Sequence, residues 1–139
     1  MIELNNTTQV RVRYAETDKM GVVYNANYFV YFEVGRNEIM RQYNIHLSDY
    51  EQNDKVYFPL FDAYARYIMP AGYDDLLTIE TKFIYNDSLK MTFESTIKRG
   101  ETLICKGYTN HCFVSQTTMK PVKPPATFLE QIISQNNIK

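Results

Sequence analysis

Residues 14–28 read YAETDKMGVVYNANY, and the arrangement of the rest of the chain follows from this stretch. The preceding segment, QVRVRY at residues 9–14, alternates apolar and basic residues, which predicts a β-strand. The following segment, residues 28–43, spaces its apolar residues for one face of an α-helix. A strand-loop-helix unit of this kind aims the Asp18 carboxylate at the positive N-terminal end of a helix, where a reactive site can form.

Composition indicates a single domain spanning residues 1–139. The chain has 45% hydrophobic and 22% charged residues, which are ordinary values for a globular protein with one core. Its net charge of -1 argues against a general nucleic-acid or anionic-membrane binder. Any anionic ligand would therefore have to be held by local groups.

Hydropathy and cysteine usage predict a cytoplasmic protein with no integral membrane segment. No run of 18 apolar residues is present, and the first residues lack the basic and apolar regions of a signal peptide. Cys105 and Cys112 lie seven residues apart in one predicted strand, hence on opposite faces, so we expect free thiols in a reducing compartment. No Cys or His cluster has metal-ligand spacing, and we expect no metal site.

Periodicity predicts one long helix over residues 27–43, with Asn25 or Asn27 capping its first amides. Gly35 in the middle of this helix indicates close packing against a sheet, since glycine there costs about 1 kcal/mol relative to alanine. Residues 1–6 are expected to fray or to add a short edge. The predicted strands cover residues 7–14, 56–69 with a break near Pro59, 74–85, 89–98 and 102–115. A weak helix is predicted over residues 126–134, followed by a tail over residues 135–139.

The order of these elements, one strand, one long helix and then four strands joined mostly by hairpins, predicts an α+β fold. Short turns favour antiparallel neighbours, so the helix should lie against one curved antiparallel sheet. A single helix covers only one face of that sheet. The uncovered face and the open edges predict a homo-oligomer.

The motif that starts at Asp18 resembles the signature of a known family. The matching residues are DKMGVVYNANY at 18–28, YFE at 31–33 with Arg36, ARY at 65–67 and PAGYDD at 70–75. In this combination they are similar to the hotdog-fold thioesterases, in particular to the 4-hydroxybenzoyl-CoA thioesterase group and its YbgC-type acyl-CoA thioesterases. The resemblance covers nearly the whole chain and ends near residues 121–125.

This resemblance implies a long central helix wrapped by a curved antiparallel sheet of five to six strands. It also implies homodimers or homotetramers with the active site at the dimer interface. The family's catalytic carboxylate falls on Asp18, and its helix-end amide, which polarises the thioester carbonyl, falls on Asn25. Many relatives carry His or Tyr at the latter position, so only the backbone amide of Asn25 is carried over.

Asp18 is the candidate catalytic residue, because an ionised carboxylate can attack a thioester directly or activate water as a base. The competing interpretation is that Asp18 only caps a turn, as loop aspartates often do. Gly21 is expected to take a positive φ or to let substrate approach the backbone. The candidate acyl-pocket residues, some of which could equally belong to the core, are Gly21, Val22, Val23, Tyr24 and Tyr28.

Three functions compete. The first is hydrolysis of acyl-CoA thioesters without a metal or redox cofactor. The second is the same reaction on an acyl carrier protein; because such a protein is acidic, a basic surface patch near the active-site mouth would favour it. The third is a non-catalytic acyl-binding module, against which the acid at position 18 argues, since a pocket for an apolar chain has no use for a buried carboxylate.

Overall fold

The computed structural model describes residues 1–136 and has an α+β architecture, as predicted. Its strands are β1 (Ile2–Arg11), β2 (Val56–Tyr57), β3 (Leu60–Tyr67), β4 (Leu76–Tyr85), β5 (Met91–Arg99), β6 (Thr102–His111) and β7 (Val114–Ser115). Its helices are α1 (Asn27–Gln42), α2 (Leu47–Asn53) and α3 (Ala126–Asn136), and a 3₁₀ turn occupies Tyr14–Glu16. The prediction of a tail after residue 134 falls partly on residues 137–139, which lie outside the described residues.

Five of the strands form one antiparallel sheet in the order β1-β4-β5-β6-β3. The β4-β5 and β5-β6 connections are hairpins, as the turn signals predict. Strands β3 and β4 are not neighbours, because β3 lies at the opposite edge and pairs with β6. One long edge of β3 therefore has no partner within the described chain.

Helix α1 lies against the sheet over β1, β4 and β5. Its buried face carries Tyr28, Tyr31, Phe32, Gly35 and Ile39. The close packing predicted for Gly35 is confirmed, since a Cβ atom at this position would lie 2.2 Å from Thr81 Oγ1 and 3.0 Å from Ile79 Cγ2. Helix α1 can approach the sheet this closely because the glycine has no side chain.

The buried residues form two clusters. The first contains Tyr28, Tyr31 and Phe32 of α1, and the second fills the other end of the core. The aromatic rings of the second cluster come from α2, β4, β5 and α3 and from Phe113, and the ring centroids of Phe113 and Phe128 are 5.0 Å apart. The short pair β2-β7 and helices α2 and α3 surround this cluster. The cavity beside Asp18 lies instead next to the first turn of α1.

Several predicted element boundaries differ from the structure. Strand β1 starts at Ile2 because the polar residues Asn5 and Asn6 pair with β4, and it ends at Arg11. The predicted strand over residues 56–69 divides at Pro59, as anticipated, but its first part joins β7 in a separate sheet. The last strand also divides, after His111, and helix α3 extends to Asn136.

Both cysteines are buried free thiols, as predicted. The reasoning from one regular strand is wrong, however, because β6 ends at His111 and Cys112 lies beyond it. Cys105 stays within β6 and faces the core that includes Tyr28 and Phe32.

Candidate active site

The loop that carries Asp18 is closed at its base by main-chain pairing. Thr17 and Val23 form an antiparallel bridge, and the Asp18 N–H donates to the Val22 carbonyl at 2.8 Å. The Gly21 N–H donates to the Asp18 carbonyl at 3.0 Å, and Gly21 has a φ of +81°. The positive φ explains the glycine at this position. The second expectation, that substrate approaches the backbone at Gly21, stays a prediction; the space there is open, since nothing lies within 4 Å of a Cβ placed on Gly21.

The Asp18 side chain is half-buried and only partly engaged. Its Oδ1 atom accepts a hydrogen bond from the Met20 N–H at 2.8 Å, which makes the turn that the competing interpretation anticipates. Among residues 1–136, no donor bonds to its Oδ2 atom. One oxygen therefore holds the turn, and the other is available to a ligand.

Helix α1 begins without a side-chain cap. The capping expected from Asn25 or Asn27 is wrong, because the N-cap residue is Ala26 and the Asn27 side chain donates to the Glu16 carbonyl at 2.9 Å. The Asn27 N–H reaches the Tyr24 carbonyl at 2.9 Å, so a tighter turn precedes the regular helix. Within the described chain the Asn25 N–H donates to no group, which leaves an amide at the positive end of the helix open to a ligand.

Asp18 and Asn25 line the same cavity, whose volume is about 340 Å³. Of the predicted pocket residues, Gly21 does not line it. The other lining residues are Met20, Val22, Val23, Tyr24, Tyr28, Tyr67, Ile68, Met69 and Pro70. The cavity thus combines one acid, one open helix-end amide and mostly apolar or aromatic walls.

Known proteins resemble this chain over almost its full length. The profile of the thioesterase-like superfamily matches residues 12–132. The chain belongs to this superfamily. It is also 30% identical over 125 residues to the acyl-CoA thioesterase YbgC of Haemophilus influenzae, covering 90% of this chain and 92% of that protein.

Solved structures of thioesterases share the fold of this chain. The DHNA-CoA thioesterase of Staphylococcus aureus superimposes with a TM-score of 0.84 at 25% identity, covering 96% of this chain and 91% of that one. A 1,4-dihydroxy-2-naphthoyl-CoA thioesterase from Synechocystis gives a TM-score of 0.84 at 19% identity, which shows the fold alone. The hotdog fold implied by the motifs is confirmed.

The three consecutive residues Val22, Val23 and Tyr24 divide between the core and the cavity mouth of this thioesterase-like chain. Val23 is 5% exposed and belongs to the core that α1 covers. Val22 bridges to Gly72, and Tyr24 is 52% exposed. Val23 therefore belongs to the core as well as to the cavity wall, and the acyl-pocket role of all three residues stays a prediction.

The end of β3 supplies a wall of the cavity that sequence reasoning missed. The Tyr67 hydroxyl donates to the Asn25 carbonyl at 3.1 Å, and its ring centroid lies 5.5 Å from that of Tyr28. Ile68, Met69 and Pro70 continue this wall. The apolar run YIMP at the end of a predicted strand is the signal that could have identified it.

Two residues outside the cavity fix the far side of the loop. The Asp75 Oδ2 atom accepts hydrogen bonds from the Gly72 N–H at 2.8 Å and from Arg99 Nη1 at 2.9 Å. The Gly72 amide and the Arg99 guanidinium hold the pKa of Asp75 below its ordinary value, although partial burial acts the other way. Gly72 in turn bridges to Val22, so this network supports the loop from outside.

Burial favours the protonated forms of the Tyr28 hydroxyl, which lines the cavity, and of the Cys105 thiol in the core behind it. It raises the pKa of Tyr28 to about 12 and that of Cys105 to about 12. Neither group is therefore an anionic nucleophile near neutral pH. Asp18 remains the candidate for the group that attacks a substrate or activates water at this cavity.

No group of three His, Cys, Asp or Glu side chains within residues 1–136 could hold a metal ion. In the same part of the chain, no helix is both long and apolar enough to cross a membrane.

A second cavity, also of about 340 Å³, lies along the C-terminal half of α1 and is lined in part by Arg36 and His111. His111 is buried, and its Nε2 atom lies 3.0 Å from Thr109 Oγ1, while Nδ1 has no partner within the described chain. Burial, assisted by the nearby charge of Arg36 and opposed by the proximity of the Phe58 backbone, lowers the pKa of His111 to about 4.

His111 should therefore make stability depend on pH below neutrality. The unfolded chain binds a proton at its ordinary pKa near 6.5, whereas the folded chain binds it only near 4, so unfolding is increasingly favoured as pH falls through this window. We expect the urea midpoint of the wild type to drop between pH 7 and pH 4 more steeply than that of His111→Gln. His46→Gln, which removes an exposed histidine, is the control and should follow the wild type. Identical pH profiles for wild type and His111→Gln would contradict the assignment.

Proposed function

We propose that this chain hydrolyses acyl-CoA thioesters to the free acid and CoA, with Asp18 as nucleophile or general base. The observation that carries the proposal is that the free Oδ2 side of Asp18 and the open Asn25 amide belong to one apolar cavity. Membership of the thioesterase-like superfamily and the likeness to acyl-CoA thioesterases support it.

The reaction needs a group that attacks the thioester carbonyl and a donor for the charge that develops on its oxygen. In one route, Asp18 attacks the carbonyl carbon, the C–S bond breaks with departure of the CoA thiolate, and water hydrolyses the mixed anhydride. In the other, Asp18 takes a proton from the water molecule that attacks the carbonyl carbon, and the C–S bond then breaks with departure of the CoA thiolate, which leaves the free acid. In both routes the Asn25 N–H donates to the carbonyl oxygen, where loss of one such donor typically costs about 2.7–4 kcal/mol.

Apolar walls suit the acyl group of the substrate. The side chains of Val22, Tyr24, Tyr28 and Tyr67 form part of these walls, and Val23 contributes from the core side. The cavity volume of about 340 Å³ falls at the lower end of the range of about 300–1,000 Å³ common for small-molecule sites. Exclusion of water by such walls strengthens the interaction of the Asn25 amide with the oxyanion.

A panel of acyl-CoAs tests the proposal. We would measure thiol release with a thiol-reactive dye from short aliphatic, long aliphatic and aromatic acyl-CoAs, and from the same acyl groups on an acyl carrier protein. Faster release from CoA thioesters supports the proposal. Release from the carrier protein alone would assign the second substrate class, and saturable acyl-CoA binding without release from either would indicate a binding module.

We also propose that the chain acts as a homodimer or a homotetramer and that two copies meet along β3. The open edge of this strand and the segment after it expose large apolar side chains, namely Leu60, Phe61, Tyr64, Tyr67, Ile68 and Met69. An open apolar strand edge favours pairing with another strand. Because Tyr67 also lines the Asp18 cavity, a second copy on this edge would lie beside the cavity.

A charge placed on this edge should prevent assembly. We expect Phe61→Asp, at a side chain that is 51% exposed, to shift the sedimentation coefficient toward that of a monomer and to lower activity. Leu89→Asp changes a comparably exposed apolar residue, at 43%, in the β4-β5 turn and should sediment like the wild type. An unchanged oligomeric state in Phe61→Asp would contradict an interface along β3.

A further inference from the structure

Glu16 is a buried carboxylate in the loop that the reaction scheme does not use. It lies two residues before Asp18, and only 6% of its surface is exposed. Its Oε1 atom accepts hydrogen bonds from the Arg13 N–H at 2.9 Å and from the Tyr31 hydroxyl at 2.8 Å. Its Oε2 atom accepts from Arg13 Nε at 3.1 Å and from Arg13 Nη2 at 2.9 Å. The side chain thus joins Arg13, two residues after the end of β1, to Tyr31 in the second turn of α1.

The main-chain carbonyl of Glu16 forms two further links, to the end of the loop and to α1. It accepts hydrogen bonds from the Tyr24 N–H at 2.9 Å and from the Asn27 side-chain amide at 2.9 Å. Tyr24 ends the loop, and Asn27 is the first residue of α1. A single residue therefore fixes both the segment that enters the loop at Asp18 and the segment that leaves it next to Asn25.

The desolvated part of this network is the contact between Glu16 and Tyr31. The Arg13 side chain is 76% exposed, and exposed ion pairs contribute little to stability. Tyr31 is 1% exposed, and its hydroxyl and the Glu16 carboxylate would each lose a buried partner if the other were removed. Charge-assisted hydrogen bonds in a buried setting hold geometry tightly, which is what a catalytic acid on a loop requires.

We propose that Glu16, held by Tyr31, is a positioning residue for thioester hydrolysis: it fixes the separation between the Asp18 carboxylate and the open amide at the start of α1. Neither side chain touches the substrate. This inference rests on the proposed function, because it assigns Glu16 a role in the same reaction.

Two variants test the role while preserving most of the packing. Tyr31→Phe removes only the hydroxyl and keeps the ring, whose centroid lies 5.9 Å from that of Tyr28. Glu16→Gln keeps the size of the side chain but replaces one acceptor oxygen with a donor that faces the Arg13 guanidinium. We expect kcat per folded molecule to fall about 10- to 100-fold in each variant, because a small displacement of a catalytic group can lower the rate by this much. KM should change less than about threefold, since neither side chain contacts the substrate. The kcat of the double variant should be no lower than that of the worse single variant, since both substitutions break the same contact between Glu16 and Tyr31.

Matched controls break similar bonds away from the loop. Tyr43→Phe removes a hydroxyl that donates to the Asn5 carbonyl. Glu38→Gln removes the ion pair between Glu38 and Arg41. These two residues are three apart in sequence, as are Arg13 and Glu16. Both controls should keep the kcat of the wild type.

Activity and stability measured together decide the outcome. A lower melting temperature with unchanged kcat per folded molecule in both test variants would assign Glu16 a purely structural role and overturn the inference. Tyr31→Phe alone decides the question if Glu16→Gln does not fold. Absence of thioester hydrolysis in the wild type would overturn the proposed function as well, whereas an active wild type with fully active variants overturns this inference alone.

Discussion

Replacement of Asp18 by asparagine should lower kcat for acyl-CoA hydrolysis by about 10²–10⁴-fold, the range typical of a positioned general acid or base. Asparagine has nearly the same shape as aspartate, and its Oδ1 atom can still accept the Met20 N–H that holds the turn. The neutral amide can neither attack the thioester nor take a proton from water. Steady-state kinetics with a thiol-reactive dye would measure the loss, and circular dichroism would show that the fold is kept.

Two comparisons make the Asp18→Asn result specific. Asp87→Asn, in the exposed β4-β5 turn, changes an acid away from the cavity and should retain the activity of the wild type. A non-hydrolysable acyl-CoA thioether should still bind to Asp18→Asn, because the apolar walls are unchanged. Near-normal turnover by Asp18→Asn would exclude both the nucleophile and the general-base route.

Substitution of Gly35 by alanine should destabilise the fold by about 1–3 kcal/mol, the usual cost of overpacking a core. The new methyl group would meet Thr81 Oγ1 at 2.2 Å and Ile79 Cγ2 at 3.0 Å, so α1 would have to move away from the sheet. The gain in helix propensity, about 1 kcal/mol, offsets only part of this cost. Urea unfolding monitored by circular dichroism would measure the difference in the free energy of unfolding.

A compensating change tests the cause of that loss. Thr81→Ala removes the hydroxyl that the methyl group would meet, and this hydroxyl is buried without a hydrogen-bond partner within the described chain. We therefore expect Gly35→Ala with Thr81→Ala to recover most of the stability of the wild type. If the double variant is as unstable as Gly35→Ala alone, the contact with Thr81 is not the source of the cost.

Local sequence patterns predicted the elements that position the site. The loop around Gly21 and the extent of α1 follow from residues that are neighbours in sequence, and the structure matches both closely. The mid-helix position of Gly35 likewise pointed to a close helix-sheet contact. These features depend on turn geometry and helical spacing, which a single sequence shows directly.

Features that depend on distant residues were missed. The Tyr67 wall of the cavity arises because β3 pairs with β6 rather than with β4, and no turn signal encodes that choice. The cap at the start of α1 was misassigned because the Asn27 side chain bonds to the Glu16 carbonyl, a contact that exists only once the loop has folded back. The same folding back buries Glu16, whose role could not be read from its place in a polar loop.

The most direct test of the central claim is the initial rate of thiol release from acyl-CoA, measured for wild type and Asp18→Asn side by side at equal concentrations of folded protein. Our account predicts release by the wild type and little or none by the variant, with the acyl panel ranking the preferred substrates. Equal rates from the two proteins, or no release from any acyl-CoA by the folded wild type, would contradict it.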